Sequence, residues 1–576
     1  MMEGFKLIAD MRHYIMGASA VWSRLIDRFG WVEMIDKLAA RDDCKLSVGT
    51  RLKALLINIG TDRKALYKVQ EFYEERDVEV LLGEGVSFAD LNDDALGRAL
   101  DILYDLDLDT VYPQIALATV KQLWIIEQFD DLLPVHADTT SLTLFGDYPE
   151  PNTSEQSDSN QDSFAIARGY SKAHRPDLKQ IIFGLCTLKG VPLCANVDKG
   201  NQDDHTWNKE NVPRLFNLLD EQTQEKLLYI ADSAVVTRGN LELFAKDEIH
   251  FVSRLPSSVK LCADLKRAAW EKETAWQDIG QTAISSNAST YKIQSFRREL
   301  YGRTYRFIVV RSTGLTAQKE HKLEDVLGRE KDTLTKAIEK ASKAVYNCEG
   351  DARTAGEAFA HEHRKALHEL KVSVVAQQVQ EKRAHKGRPR KDEPAPGMHM
   401  EYRLAVDLVA PDEQVLREWR EREETFVLLT DIRDDKRVSD EQVLRLYKDQ
   451  IEVENGFKHL KSPYHVGPVF LHNQTRVKAF AYVMLLSQLL YDSFEYILRE
   501  QMAKETEPLI LPGKRKSMRP TGVSVLEMLE TMQTVWLGDE NGWQRMTARP
   551  HNDQIERVLG LLGFDLSIYN TVRKNG

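Results

Sequence analysis

Three side chains that can take part in chemistry recur at seven-residue intervals between residues 447 and 463, in the segment YKDQIEVENGFKHLKSP. They are the phenol of Tyr447, the carboxylate of Glu454 and the amine of Lys461. On a helix, a step of seven residues returns to within about 20° of its starting direction. We therefore predict that the three side chains share one stripe of a single helix, beside an apolar stripe that faces a core.

Two aspartates stand where the surrounding residues predict buried strands. Asp138 lies in VHADTTSLTLF, and Asp232 follows the apolar run in YIADSAV. A carboxylate in such a place is costly to bury unless it is paired, hydrogen-bonded or bound to a cation. Either aspartate alone is also consistent with a turn cap at the end of a strand. Together with Glu454, however, they form a candidate set of hard oxygen ligands of the type that Mg²⁺ prefers.

The composition limits the class of protein. A chain of 576 residues that is 42% hydrophobic can bury a large core and is long enough for several domains. Its five cysteines are scattered without a CxxC pair, which argues against a zinc ribbon or a disulfide framework. The first residues lack the basic start and apolar run of a signal peptide, and no apolar stretch is long enough to cross a bilayer. We therefore expect a soluble protein without a membrane partner.

The net charge of −11 argues weakly against nucleic acid as a partner, but basic residues are concentrated locally. They occur in 164–180, 382–391 and 513–520. An acidic body with concentrated basic segments can remain soluble and still hold a phosphate backbone at chosen places. For each segment taken alone, a solvated loop without a partner is an open alternative.

The elements that must position these residues predict an α/β protein. The order β-β-β-α-β-α-β predicted for residues 126–255 is that of an RNase H-like fold. We predict five stretches: a helical N-terminal domain at 1–125, for which DNA-end binding is left open; the first part of an RNase H-like core at 126–255; an insertion at 256–423, with a β-hairpin around Gly302 and a long charged helical stretch at 316–382; the second part of the core at 424–472, with the helix that carries Glu454; and a helical C-terminal region at 473–576.

With these motifs assembled, the sequence resembles the DDE transposases of bacterial insertion sequences. It is most similar to the cut-and-paste branch, whose catalytic helix carries the signature Tyr-x2-Arg-x3-Glu-x6-Lys. Tyr447, Glu454 and Lys461 match three positions of that signature, and Gln450 replaces its arginine. The resemblance extends over most of the chain, through LNDDALGRALD, HADTTSLTLFGDY, GYSKAHRPDLKQ, ADSAVVT and VENGFKHLKSP.

The resemblance implies that Asp138, Asp232 and Glu454 are the catalytic and metal-binding triad. It implies two Mg²⁺ ions, with Mn²⁺ as a substitute, and a reaction that cleaves transposon ends and joins them to target DNA. The insertion at 256–423 is then the one that this branch carries before its catalytic glutamate. The implied DNA contacts are Tyr447, Gln450, Lys458, Lys461, Lys172, His174, Arg175, Lys179, Arg388 and Arg390.

The resemblance also implies the partners and the compartment. The partners are double-stranded DNA with terminal inverted repeats, target DNA and a second copy of the chain in the DNA complex. The compartment is the bacterial cytoplasm, in association with the nucleoid.

Gln450 is the departure that matters, because an amide cannot hold a phosphate by charge or with a guanidinium fork. Either Lys448 or Lys458 takes over this contact, or the DNA end is held more weakly. Two other functions remain open beside an active transposase. One is a catalytically silent DNA-binding descendant that keeps the fold, and the other is an RNase H-like nuclease without strand transfer.

Overall fold

The computed structural model describes residues 10–41, 44–148, 164–172, 174–282, 288–381, 397–461, 471–539, 542–548 and 553–573. The chain forms two compact units. The first unit comprises Met1–Ser253 and Leu444–Gly576, and the second unit comprises Arg254–Val443. Asp138, Asp232 and Glu454 all belong to the first unit, although more than two hundred residues of sequence separate the last two.

The N-terminal part of the first unit is helical, as predicted, except for one strand at its start. Polar caps define several helix ends; Asn92, for example, accepts a 2.9 Å hydrogen bond from the amide of Ala95. The elements are β1 (Asp10–Ile15), α1 (Ser19–Phe29), α2 (Trp31–Ala39), α3 (Val48–Gly60), α4 (Val69–Glu74), α5 (Val78–Leu82), α6 (Asp93–Asp105) and α7 (Leu108–Gln122), with 3₁₀ turns at Leu66–Lys68, Phe88–Leu91 and Ile126–Gln128.

The next part of the first unit is a mixed sheet with helices. Its elements are β2 (Leu133–Leu144), β3 (Lys179–Leu188), β4 (Val191–Asp198), α8 (Asp204–Leu218), α9 (Glu221–Gln224), β5 (Leu227–Ala231), α10 (Arg238–Lys246) and β6 (His250–Arg254), with a 3₁₀ turn at Ser233–Val235. This order confirms the predicted β-β-β-α-β-α-β sequence, to which α9 is a short addition.

The strands of this sheet are ordered β4-β3-β2-β5-β6. The first three strands form an antiparallel meander, which turns between β3 and β4 at Lys189 and Gly190, both with positive φ. Strands β5 and β6 are then parallel to β2. Nearly every residue of β3 and β4 is buried, and α7 and α17 (Gln474–Met502) pack against β4. The strand β2 thus lies centrally, with an antiparallel neighbour on one side and a parallel neighbour on the other.

The second unit is built around an antiparallel sheet with the order β12-β9-β8-β7, and β10 pairs separately with β11. The predicted hairpin around Gly302 is present as β8–β9. The elements are α11 (Lys260–Trp270), β7 (Gln277–Gln281), β8 (Thr290–Leu300), β9 (Arg303–Ser312), α12 (Thr313–Ser342), α13 (Glu349–Glu362), β10 (Glu369–Gln380), β11 (Met398–Val409), α14 (Glu413–Glu424) and β12 (Thr425–Thr430), with a 3₁₀ turn at Glu273–Ala275.

The prediction of one long helical stretch at 316–382 is wrong at its C-terminal end. The helices α12 and α13 end before residue 369, and the following residues form strand β10. The segment KVSVV is rich in β-branched residues, and β10 is stabilised by full antiparallel pairing with β11, from Glu369 opposite Val409 to Gln380 opposite Met398. The charge pattern alone did not reveal this pairing.

The remaining elements are α15 (Asp440–Lys448), α16 (Ile451–Lys461), α17, β13 (Leu509–Leu511), β14 (Arg515–Ser517), α18 (Gly522–Leu529), β15 (Gln533–Asp539), β16 (Gly542–Thr547) and α19 (Asp553–Leu561), with 3₁₀ turns at Pro512–Lys514 and Leu566–Tyr569. The prediction of a helical C-terminal region is therefore only partly correct. The region also contains strands, of which β15 pairs with both β1 and β16. Among the helices of the described residues, none is both long enough and apolar enough to cross a bilayer.

Candidate active site

Asp138 and Asp232 are brought together by the register of two parallel strands. Ala137 of β2 is paired with Ala231 of β5, and each aspartate is the next residue in its chain. Neighbouring strands are about 4.8 Å apart, and residues at equivalent positions of parallel strands point to the same face. The strand β5 ends at Ala231, so both carboxylates lie where the parallel pairing stops.

Asp138 is in an environment that disfavours its negative charge. Burial, with smaller contributions from the carboxylates of Asp232 and Asp204, raises the pKa of Asp138 to about 7, against the opposing effects of Lys172 and of the 2.7 Å hydrogen bond from the amide of Thr139. The protein thus holds three acidic groups close enough to interact, with limited compensating positive charge.

Asp232 is held by the turn that follows β5. Its carboxylate accepts a 3.0 Å hydrogen bond from the amide of Ala234, and its carbonyl accepts a 2.7 Å hydrogen bond from the hydroxyl of Ser253. Burial and the nearby Asp204 raise the pKa of Asp232, against the opposing effects of the Ala234 amide, Lys172 and His205. The side chain is therefore fixed in place and shares the electrostatic environment of Asp138.

Sequence reasoning missed Asp204, which contributes the third acidic group. Asp203 caps α8 through the amide of Thr206, so Asp204 is left to turn toward β2. The Asp204 carboxylate accepts a hydrogen bond from the hydroxyl of Thr139 and forms an ion pair of 3.3 Å with Lys172. The doubled acid at the start of a helix was the available signal, because only one of the two can serve as the cap.

Lys172 is the positive charge of this group. Its Nζ donates to both the carbonyl and the hydroxyl oxygen of Thr139, each at 2.9 Å. Together with the ion pair to Asp204, these bonds hold the ammonium beside the residue that follows Asp138. The predicted basic residue is thus part of the carboxylate cluster itself.

The sequence predicted one continuous helix for Tyr447, Glu454 and Lys461, and this prediction is wrong. Tyr447 lies in α15, which ends at Lys448, and the other two lie in α16, which begins at Ile451. Gln450 stands between the helices, and its Nε2 donates a 3.2 Å hydrogen bond to the carbonyl of Ala137 in β2. This tertiary bond, which no local pattern reveals, accompanies the break.

The helix α16 nevertheless runs beside β2 and β3. Burial and the nearby Lys172 lower the pKa of Lys461, whereas Asp138 opposes this change, so the C-terminal end of α16 is close to the acidic group. Glu454 lies between Gln450 and Lys461 and is exposed. Within the described ranges, no three Asp, Glu, His or Cys side chains form a ready-made metal site, so Glu454 is not assembled with the aspartates.

The chemistry of Asp138 and Asp232 fits a divalent cation. Both are hard oxygen donors, Asp138 on β2 and Asp232 directly after the adjacent strand β5, and burial raises the pKa of each. A cation between them would favour the charged forms of both groups, which the protein environment alone disfavours. Glu454 could supply a third oxygen only by moving its side chain, or α16, toward the aspartates.

Several of the basic residues predicted to contact DNA already have partners within the chain. Arg175 forms a two-point ion pair with Asp177, at 2.8 and 2.7 Å, and Lys179 donates to the carbonyl of Tyr148. His174 is exposed and has a left-handed backbone, with φ of 57°. Lys458 is exposed on α16. The predicted contacts Arg388 and Arg390 lie outside the described residues.

Gln450 is buried, with only 8% of its surface exposed, so its position disagrees with the predicted contact to DNA.

Replacing Gln450 with Arg is therefore expected to lower the free energy of unfolding by about 1–3 kcal/mol, because a charge replaces a buried hydrogen-bonded amide. Urea unfolding measures this change, with the exposed replacement Lys458→Arg as its control. A Gln450→Arg variant that is as stable as the native protein and binds DNA with a steeper salt dependence would restore the original prediction.

Comparisons with known proteins show the family to which the chain belongs. Residues 16–117 match a domain of unknown function, DUF4277, and residues 138–490 match the Transposase DDE domain. No curated protein matches the chain. Among solved structures, the chain is similar to the piggyBac transposase in a synaptic complex with hairpin DNA, at 9% identity and a TM-score of 0.37, over 91% of this chain and 82% of that one. The Transposase DDE domain begins at Asp138 and covers more than half of the chain, so this protein belongs to the DDE transposase family and is a transposase enzyme.

Proposed function

We propose that this transposase cleaves DNA at the ends of its own mobile element and transfers the cut strands to target DNA. The observation that carries the proposal is the register of β2 with β5, which brings Asp138 and Asp232 side by side where the parallel pairing stops. The raised pKa of Asp138, at about 7, supports a role for this pair in binding a cation. Glu454, on the helix beside β2, is the proposed third acid.

The strand order supports an RNase H-like core within the first unit. An antiparallel meander of β2, β3 and β4 is followed by β5 and β6, which are parallel to β2. In this arrangement, the first two acids come from the central strand and its parallel neighbour, and the third comes from a helix that packs against the sheet. Under the proposal, the insertion at 256–423, which lies within the second unit, precedes this helix.

The proposed roles follow from position and charge. Asp138, Asp232 and Glu454 would hold two divalent ions, which supply an activated attacking oxygen and stabilise the leaving oxygen when bound. Lys172 and Lys461 both interact electrostatically with Asp138. They would balance the charge of a phosphate that binds beside the acidic groups. Lys458, which is exposed on α16, would contact the DNA backbone. Tyr447, half-buried on α15, would contact the backbone through its hydroxyl group.

The proposed substrate is double-stranded DNA that carries the terminal inverted repeats of the element. A second copy of the chain would hold the second end, so that both ends are cut within one complex. Fixed charges that recognise phosphates give affinity without sequence information, so recognition of the element end requires contacts to base edges or a response to the shape of the DNA.

The test uses purified full-length protein, Mg²⁺ and a duplex with the inverted repeat that brackets the gene. The proposal predicts strand breaks at the element end and, with added plasmid, covalent joining of the end to that plasmid. Breaks without joining would indicate the nuclease alternative. Specific binding without breaks would indicate the silent descendant, and the absence of both would contradict the proposal. A duplex with a scrambled repeat is the control.

A further inference from the structure

Tyr170 is the most exposed large aromatic or apolar side chain of the described residues. Its exposed fraction is 86%, whereas the next in rank, Trp124, reaches 68%. It lies in the segment 164–172, where Ala165, Ile166 and Ala167 are buried. The segment is therefore anchored by its beginning and presents one aromatic ring to the solvent.

The backbone of Tyr170 is fixed from below. Gln180, which is 2% exposed, donates from Nε2 to the carbonyls of Tyr170 at 3.1 Å and of Gly200 at 2.8 Å. Its own backbone forms a two-bond bridge with Ala167, at 3.0 and 3.3 Å. At Gly169, an added Cβ would lie 2.2 Å from the carbonyl oxygen of Gly200, so the loop and its support are in close contact. The ring is thus carried on an ordered backbone, which lowers the entropy lost when a ligand binds.

The location of Tyr170 connects it with the acidic group. Lys172 is two residues farther along the chain, and two residues span at most about 7 Å. The Nζ of Lys172 is 2.9 Å from the carbonyl of Thr139, the residue that follows Asp138. Arg168 and Lys172 place a positive charge on each side of the ring in sequence. An exposed aromatic flanked by cations is a typical contact for unpaired nucleic acid, because every base offers a π face for stacking.

We propose that the ring of Tyr170 stacks on an unpaired base of the element end, next to the phosphate that is cleaved. This inference rests on the proposed function and adds to it a contact for the base. The DNA-contact set predicted from the sequence included Lys172 but not Tyr170. The ordered loop would hold the DNA end in place through the aromatic contact, and Lys172 would face the phosphate backbone of the DNA.

The test is a fluorescence titration of full-length protein with an element-end duplex that carries 2-aminopurine at the terminal nucleotides. Ca²⁺ replaces Mg²⁺ so that the duplex is bound without being cut. Native protein and Tyr170→Phe are expected to quench the probe, because both rings stack. Tyr170→Ala is expected to lose the quenching and to bind the end about tenfold more weakly. Trp124→Ala, which removes another exposed aromatic from the first unit, is expected to behave as native.

The possible outcomes separate this inference from the proposed function. If Tyr170→Ala quenches and binds as the native protein does, the stacking proposal is wrong, although cleavage by native protein would leave the proposed function intact. If native protein neither binds nor cuts the element end, the stacking proposal and the proposed function are both wrong. Loss of quenching in Tyr170→Phe as well as in Tyr170→Ala would also contradict stacking, because only the hydroxyl group distinguishes Phe from Tyr.

Discussion

Replacing Asp138 with Asn is expected to lower the rate of DNA cleavage by on the order of a thousandfold or more while end binding persists. The amide of Asn keeps the size of the carboxyl group and one oxygen to accept the 2.7 Å hydrogen bond from Thr139, but it removes the negative charge that would bind a cation. Single-turnover cleavage of an end duplex in Mg²⁺ measures the rate, and a gel-shift assay measures the binding.

The same variant carries a second expected result in the pH dependence of stability. Since the pKa of Asp138 is raised from 3.8 to about 7, the ionised group is disfavoured in the folded chain. This one group therefore destabilises native metal-free protein progressively as the pH rises from about 4 to about 7, and the Asn variant is expected to lack this contribution.

The control for the cleavage experiment is Asp177→Asn, which changes an exposed carboxylate beside Arg175 and is expected to cleave normally. Native-rate cleavage by Asp138→Asn would remove Asp138 from the reaction.

Replacing Gly184 with Ala is expected to lower the free energy of unfolding by about 1–3 kcal/mol and to reduce cleavage as well. An added Cβ would lie 2.1 Å from Nε1 of Trp207 and 2.5 Å from Oδ1 of Asn196, and those two atoms are themselves hydrogen-bonded at 2.9 Å. Trp207 belongs to α8, whose first residue is Asp204, and Gly184 is paired with Thr139 across the sheet. The overpacked side chain would thus push α8 away from the strand that bears Asp138.

Gly239→Ala is the matched control for that change. Gly239 lies in α10, and an added Cβ would meet nothing within 4 Å. Because alanine favours a helix over glycine by about 0.5–1 kcal/mol, this variant is expected to be as stable as the native protein or slightly more so. Urea unfolding compares the two variants. A Gly184→Ala protein as stable as Gly239→Ala would contradict the close packing of α8 on the sheet.

The elements around the first two acids could be predicted because their signals are local. The apolar runs before Asp138 and Asp232 indicated strands, and a carboxylate that interrupts or ends such a run is conspicuous. The same local logic located the hairpin around Gly302. These features depend on residues that are close in sequence.

The features that escaped prediction depend on contacts between distant residues. The bond from Gln450 to Ala137 joins residues 313 positions apart, and the pairing of β1 with β15 joins Asp10 to Gly538. Asp204 became visible as part of the site only when α8 was placed beside Thr139. Spacing on an ideal helix likewise could not reveal the break between α15 and α16, because the break coincides with a tertiary hydrogen bond.

The central claim is that three acids from distant parts of the chain share divalent ions when DNA is bound. Iron-dependent hydroxyl-radical cutting of the protein backbone tests it most directly, because Fe²⁺ bound in place of Mg²⁺ cuts the chain near its ligands. With the end duplex present, the account predicts fragments that end near Asp138, Asp232 and Glu454, and excess Mg²⁺ is expected to suppress all three. Fragments near the two aspartates alone, in a saturated DNA complex, would contradict it.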